Sequence, residues 1–389
     1  MLGGNTSYWD ALTTSFQKQY PYITINWERV PGLNFQTKWN AYIASRSGPD
    51  LVSIQSGAVF LPYKQALQTL PELKPLLPQF SGTQNFCDDF DCNKGIYAIP
   101  YNVQGYVLYY NKAVLQQAGL PPTAPADWTE MINACDKVKA IGKTCMALGM
   151  KDAGAFQLAF GPLPNQTMTL AQQQGYYTNK TKYTDPASVA WLKVFADMSK
   201  RGWFNPDATG ITQTPDAEGL FTSGKTAFIM GFVADIEDYA TMGPGVGQQN
   251  LGAAAFPSIV KDNPVPGISP GPLAKIAGIS SATAFGVSVW SKQKDAALQW
   301  IRFVGSQKNQ QDYLDQVGVP DRLGLDTSNA APALKQIEDL IAKGNGSLTV
   351  WYMGFKTLNA IQTSMEQIFS GSITPDAAAL AIQKAQDAP

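Results

Sequence analysis

The chain has 389 residues, 29 basic against 30 acidic side chains for a formal net charge of −1, 44% hydrophobic and 11% aromatic residues, and no histidine. That length exceeds what one hydrophobic core supports, so two lobes are expected, and near-neutral charge without a basic run excludes the electrostatic footprint of a nucleic-acid binder. The missing histidine removes His-assisted hydrolysis, His-ligated zinc and imidazole acid–base chemistry, leaving carboxylate, Tyr or Lys catalysis as the enzymatic options.

In chain order, Trp9, Leu12, Phe16 and Tyr20 fall at helical spacing over residues 8–20. Pro21 stops that helix, and Tyr22–Val30 reads as a strand. A second amphipathic helix over 35–46 ends before Ser47-Gly48-Pro49, and Leu51–Ile54 follows as a short buried strand. Helix alternating with short apolar strand is the pattern of an α/β sheet. Leu61–Leu77 is a proline-interrupted helical region, while Tyr97–Pro100 and Tyr106–Asn111 read as strands. The middle is helix-rich, near 127–141, 155–160, 186–201 and 215–223, with Ala227–Met230 as an apolar strand. Pro257–Gly278 is a Gly/Pro-rich loop. Phe285–Trp290 returns to strand and Lys294–Ser306 to helix, and further helices are expected over 307–316, 332–343, 353–369 and 375–386. No apolar stretch reaches the roughly 18 residues that a membrane-spanning helix needs.

Four cysteines form two close pairs, Cys87 with Cys92 and Cys135 with Cys145. Neither the C-x2-C spacing of zinc sites nor a redox C-x-x-C is present, so two local disulfides are expected, outside a reducing cytosol. Closing such short loops is worth about 2–3 kcal/mol each in the chain-entropy model. Alkylation of the unreduced, denatured protein should therefore find no free thiol by intact mass; four alkylated cysteines would refute both bridges. No secretory leader precedes Gly3, so a processed form is expected.

Gly219-Leu-Phe-Thr-Ser-Gly224-Lys225-Thr226 matches the phosphate-binding loop pattern. That loop works only between a strand and a following helix, and here a helix-like segment precedes and a strand-like one follows, so the match is accidental. Asp88, Asp89, Asp91 and Asn93 suggest part of a calcium loop, but Lys94 and Pro100 occupy the positions that need Gly and Glu; a solvated acidic turn is expected and no metal site. Asp235, Glu237 and Asp238 could supply the carboxylates of a glycosidase, or simply mark an exposed helix start.

Trp9, Tyr63, Tyr101, Tyr106, Phe156, Phe232, Trp351 and Tyr352 lie at or near predicted element ends, whereas Trp191, Phe195 and Trp300 fall mid-element as core residues do. Packing explains any one of them. Together they point to an aromatic-lined site, where rings stack on the apolar face of a sugar while amides and carboxylates bind its hydroxyls.

Several segments, in order, resemble the extracytoplasmic solute-binding proteins of ABC importers, in particular the carbohydrate-binding family. They are Phe16-Gln-Lys-Gln-Tyr20-Pro21 with Ile23-Thr-Ile25, Ser47-Gly-Pro-Asp50-Leu-Val52, and Gly95-Ile-Tyr97-Ala-Ile-Pro100-Tyr101. The most specific is Leu108-Tyr-Tyr-Asn111-Lys112 with Ala118-Gly119-Leu120, Pro122 and Asp127-Trp128. Leu220-Phe221-x-x-Gly224-Lys225-x-Ala227, Ala296-Ala297-x-x-Trp300-Ile301-x-Phe303 and Gly318-Val319-Pro320 complete the set. The family opens with a strand before the first helix, whereas this chain reaches its helix almost at once.

The resemblance implies an α/β, two-lobed, type II periplasmic-binding-protein-like fold with the solute between lobes. The expected lobes are 1–108 with 260–308 and 109–259 with 309–389, with crossings near 101–112, 253–260 and 305–320. It implies ligand contacts from Asn5, Trp9, Gln55, Ser56, Tyr101 and Asn102 in the first lobe and Phe156, Phe232, Asp235 and Trp351 in the second. Gly278 and Ser280 would form a sugar-contact loop, and Asp50 reads as structural. The implied function is binding of a neutral mono- or oligosaccharide for an ABC permease, without cofactor or catalysis, by an extracytoplasmic monomer, lipid-anchored in its precursor. A secreted carboxylate-dependent glycoside hydrolase and a binder of another solute are the alternatives.

Overall fold

A computed structural model of the chain describes residues 6–30, 32–57, 60–61, 63–152, 154–233, 242–259, 265, 267–343 and 354–388. Asn5, Asp235, Glu237, Asp238, Trp351 and Tyr352 lie outside the described residues, and of Ser280 only the backbone is described. Six strands are present among the described residues: β1 (Leu51–Gln55), β2 (Ala98–Asn111), β3 (Thr144–Ala147), β4 (Thr226–Phe232), β5 (Leu251–Ala254) and β6 (Gly278–Val287). The first two helices are α1 (Thr6–Gln19) and α2 (Gly32–Ser45).

The chain divides into two compact units, Met1–Val103 with Ser281–Asp326 and Gln104–Ser280 with Thr327–Pro389. These boundaries differ from the expected lobes at three points, the first being a switch after Val103 instead of after residue 108. The segment expected to open the first lobe at residue 260 belongs to unit 2, because Ser258 and Gly271 donate backbone hydrogen bonds to Ala126 and Gln166, and Val265 and Ile268 join that unit's core. The helix Gln307–Gln316, expected in the second lobe, packs in unit 1: Tyr313 enters its aromatic core and the Tyr8 hydroxyl donates to the Asn309 carbonyl.

In unit 1 the period of two along each strand sorts side chains onto two sheet faces. β1 runs antiparallel to the end of β6, from Leu51 opposite Val287 to Gln55 opposite Thr283. Ile99, Tyr101, Phe285 and Val287 face an aromatic core of Trp9, Phe16 and Trp300, while Val52, Ile54, Ala98 and Ala284 face a second core with Trp39, Phe60 and Phe86. Tyr22–Val30 does not become a strand: Pro21 and Tyr22 form a turn, and residues 23–30 pair with no strand among the described residues. The proline-rich stretch forms only short 3₁₀ turns, Lys64–Ala66 and Pro71–Gln79, because Pro75 and Pro78 lack the N–H that a longer helix needs.

In unit 2, β2 pairs antiparallel with β4 (Tyr106 opposite Phe232) and with β5 (Leu108 opposite Ala254), and β3 lies parallel to β4. The strands expected at 97–100 and 106–111 are one continuous element that passes from unit 1 into unit 2. Helices Trp128–Ala140, Pro186–Lys200, Phe355–Phe369 and Pro375–Asp387 cover the core, where Trp128 packs on Trp203 at 4.9 Å between ring centroids. Asp127 caps the first of these, accepting from the Glu130 N–H at 2.9 Å.

Both disulfides are present, Cys87–Cys92 and Cys135–Cys145. The phosphate-loop match sits as expected between a helix, Glu218–Thr222, and a strand, β4, in the order that cannot cradle phosphate. The acidic turn is tied down by Lys64 on Asp88 at 2.5 Å and Lys94 on Asp89 at 3.0 Å. Asp50 accepts from the Ser291 hydroxyl at 2.6 Å, anchoring the entry to β1.

Candidate functional site

In unit 1 the strand parity that places Leu51 toward the aromatic core carries Ser53 and Gln55 to the same face. There Trp9, delivered by α1, meets Tyr101 edge-on at 5.1 Å and Phe285 at 5.7 Å, and is only 3% exposed. The Tyr101 hydroxyl lies 3.4 Å from the Ser53 hydroxyl, and burial pushes its pKa up to about 12, so it stays a neutral donor. Asn102 is held at both ends of its amide: Oδ1 accepts from the Thr283 N–H at 3.1 Å, and Nδ2 donates to the Tyr313 hydroxyl at 3.5 Å. Ser56 is fully buried and donates to the Ser281 carbonyl at 3.1 Å. Gln55 is 7% exposed, and its Oε1 has no hydrogen-bond partner among the described residues. A buried amide oxygen without a donor is an acceptor held ready for one.

Beside these residues sits a carboxyl that the sequence does not announce. Asp321 is fully buried and accepts from the Ser281 hydroxyl at 2.5 Å, from the Ser81 hydroxyl, and from the Ser81 N–H at 3.2 Å. Desolvation raises its pKa to about 7 against the pull of those donors. Asn85 donates to the same Ser281 carbonyl that Ser56 uses, at 3.3 Å. Ser81, Asn85, Ser281 and Asp321 are the residues that sequence reasoning missed. Their contacts span up to 240 positions, so no spacing signal exists for them.

In unit 2, Phe156 in the short helix Gly154–Ala159 and Phe232 at the end of β4 are half-buried and packed against the core. Phe232 meets Tyr106 at 5.1 Å and Phe156 meets Phe160 at 5.4 Å. Gly278 is buried, with Gly161 and Pro162 so close that a Cβ would lie 3.0 Å from each. Gly105, at φ 150°, would place a Cβ 2.0 Å from the Gly278 carbonyl, so both positions need glycine for close backbone approach.

The structure therefore groups Trp9, Gln55, Ser56, Tyr101 and Asn102 around one end of the unit 1 strands, and in unit 2 gives Phe156 and Phe232 partly open rings. Trp9 and Tyr101 are packed into an aromatic core rather than presented on a surface, because helix periodicity turns the face carrying Leu12 and Phe16 inward together with Trp9. Among the described residues no cluster of His, Cys, Asp or Glu is arranged to hold a metal ion.

Comparison with known proteins gives this arrangement its context. The chain is 23% identical over 239 residues to an uncharacterised ABC transporter extracellular-binding protein of Pyrococcus horikoshii, covering 59% of this chain and 52% of that one. It is 29% identical over 164 residues to the sn-glycerol-3-phosphate-binding periplasmic protein of Yersinia enterocolitica, covering 40% of this chain and 36% of that one. The chain thus spans about half the length, or less, of these curated relatives. Among solved structures it resembles a chitin oligosaccharide binding protein (TM-score 0.75, 22% identity, 98% of this chain and 94% of that chain). It also resembles the sugar-binding protein MalE of Xanthomonas citri (TM-score 0.81, 16% identity, 100% and 95%). At these identities the structures establish the fold, an α/β fold of the type II periplasmic-binding class. The sequence profile of the bacterial extracellular solute-binding proteins matches residues 11–336, and the chain belongs to that family.

Proposed function

We propose that this solute-binding protein takes a neutral mono- or oligosaccharide, passes it to the permease of an ABC importer, and performs no catalytic step on it. The observation that carries this reading is that, Asp321 apart, the groups at the strand ends of unit 1 are uncharged amides and hydroxyls. The recorded partners of Ser56, Asn102 and Asp321 are hydroxyls and backbone groups, and Gln55 offers an unpartnered amide oxygen. Hydroxyl-rich solutes satisfy such amides, whereas a phosphate ester calls for arginine or lysine forks. Of the five arginines, Arg29, Arg46, Arg201, Arg302 and Arg322, the last is occupied by the Gly305 carbonyl at 2.7 Å and by Gln307 at 3.0 Å. The solved structures named for chitin oligosaccharide and for sugar binding agree with this reading.

In this reading Gln55 and Asn102 bind sugar hydroxyls, Phe156, Phe232 and Trp351 offer ring faces, Asn5, Asp235, Gly278 and Ser280 complete the contacts, and Trp9, Ser56 and Tyr101 support them from the core. The protein acts as a monomer, has no nucleic-acid partner, and is tethered outside the cell membrane.

A thermal-shift screen over monosaccharides, malto-, xylo- and chito-oligosaccharides and sn-glycerol-3-phosphate tests it. A sugar present at about a thousand times its Kd should stabilise the protein by roughly 4 kcal/mol and emerge unaltered. A shift with glycerol phosphate alone would overturn the choice of solute, and cleaved sugar would overturn the absence of catalysis. Gln55→Ala should weaken the sugar about tenfold, the worth of one buried hydrogen bond. Trp351→Ala should weaken it about thirtyfold, roughly 2 kcal/mol, with the unliganded Tm unchanged.

A further inference from the structure

Unit 2 holds a buried amide whose orientation is dictated by backbone groups. Gln213 is 3% exposed. Its Oε1 accepts from the Gly149 N–H at 2.9 Å, and its Nε2 donates to the Met230 carbonyl at 3.1 Å. A backbone N–H only donates and a backbone carbonyl only accepts, so neither bond survives a half-turn of the amide. The surroundings close on it as well: the Gln213 N–H donates to Asp152 at 2.8 Å, and a Cβ on Gly154 would lie 2.8 Å from Oε1.

The same Nε2 also donates to Gln157 Oε1 at 2.9 Å. The lock thereby passes to Gln157, whose oxygen is committed to Gln213 and whose nitrogen is turned elsewhere. Gln157 is 8% exposed, yet among the described residues its Nε2 has no acceptor. A buried donor left unpaired is costly, so this one calls for an acceptor. Its place fits a solute contact. Gln157 follows Phe156 in the helix Gly154–Ala159, that helix packs on β4, and Met230 stands two residues before Phe232 on the strand. The unfilled donor thus belongs to the same stretch of unit 2 as the two rings assigned to the sugar.

A hydroxyl is satisfied by either end of an amide, whereas ring, glycosidic and acyl oxygens carry no hydrogen and take only the donor end. A donor that cannot turn favours oxygens of the second kind. We propose, resting on the sugar reading above, that Gln157 is a specificity residue of the solute site and donates to a hydrogen-free oxygen of the bound sugar, whether ring, glycosidic or acetamido.

Calorimetric titration of glucose, maltotriose, xylotriose and chitotriose into the unaltered protein, Gln157→Glu and Gln157→Met tests it. Glutamate keeps an oxygen for Gln213 and replaces the donor with an acceptor, which donates again once protonated. For a sugar that the unaltered protein binds, Gln157→Met should weaken affinity about tenfold at every pH from 5 to 8. Gln157→Glu should lose at least as much at pH 8 and regain affinity at pH 5, where its carboxyl takes up a proton. Asp152 and Glu366, the latter bonded to Gln362 at 2.6 Å, are carboxylates of neighbouring segments common to all three proteins, so the affinity ratio cancels them. A loss confined to chitotriose selects the acetamido oxygen, and a loss with the other sugars selects the ring or glycosidic oxygen. Variants that bind within about threefold of the unaltered protein would overturn the assignment. So would a Gln157→Glu protein that binds relatively better at pH 8 than at pH 5, which would mean a sugar hydroxyl at this position. A lowered unliganded Tm with affinity kept would also overturn it, by placing the acceptor within the protein. If the unaltered protein binds none of the four sugars, the sugar reading itself falls and the role of Gln157 falls with it.

Discussion

Asp321→Asn is expected to make the protein more stable than the unaltered chain at pH 8 while leaving it nearly unchanged at pH 4. The folded-state pKa of Asp321, raised by burial to about 7, lies above its ordinary 3.8. The folded state therefore holds the proton more tightly than the unfolded chain does, and stability is fully present below about pH 4 and lost as pH rises toward 7. A difference of about three pKa units corresponds to roughly 4 kcal/mol, reached when both states are ionised. Asparagine, like the protonated carboxyl, keeps one acceptor oxygen for the Ser81 hydroxyl, turns a donor toward the Ser281 oxygen and never ionises. The difference in unfolding free energy between the two proteins, from denaturant curves at pH 4 to 8, should therefore open from near zero to about 4 kcal/mol. Parallel curves, or a variant less stable at pH 8, would mean that the donors around Asp321 hold it ionised.

Trp9→Ala should cost unit 1 about 3–5 kcal/mol, the range for emptying a large aromatic from a packed core. The ring meets Tyr8, Trp27, Tyr101 and Phe285 edge-on within 6.1 Å and lies tilted against Tyr313 at 6.4 Å. Removing it leaves a void beneath Tyr101 and frees that ring to move away from Ser53. Sugar affinity should fall along with stability, and Trp9→Phe should restore most of the stability. Trp351→Ala serves as the contrast, since a ring serving the solute alone changes affinity and not the unliganded Tm. Should Trp9→Ala leave the Tm within a degree of the unaltered chain, the aromatic core described for unit 1 is wrong.

Much of this was legible in the sequence because the physics behind it is local. The apolar stripe of Pro186–Lys200, the Asp127 cap ahead of Trp128, and cysteines five and ten positions apart each carry their signal within one or two turns of chain. Alternation along β1 similarly foretells that Val52 and Ile54 are buried together. The family motifs extend that reach to the whole fold, because each is a local turn or cap repeated in order along the chain. Tertiary structure decided the rest. Strand-like alternation over Tyr22–Val30 states a preference, but a ladder needs a partner, and among the described residues no strand pairs with that segment. Asn102 reaches Thr283 across 181 positions, and Ser81 reaches Asp321 across 240; no periodicity encodes contacts of that range. The same limit hid the desolvation of Asp321, because a carboxyl's pKa is set by what packs around it and not by its neighbours in sequence.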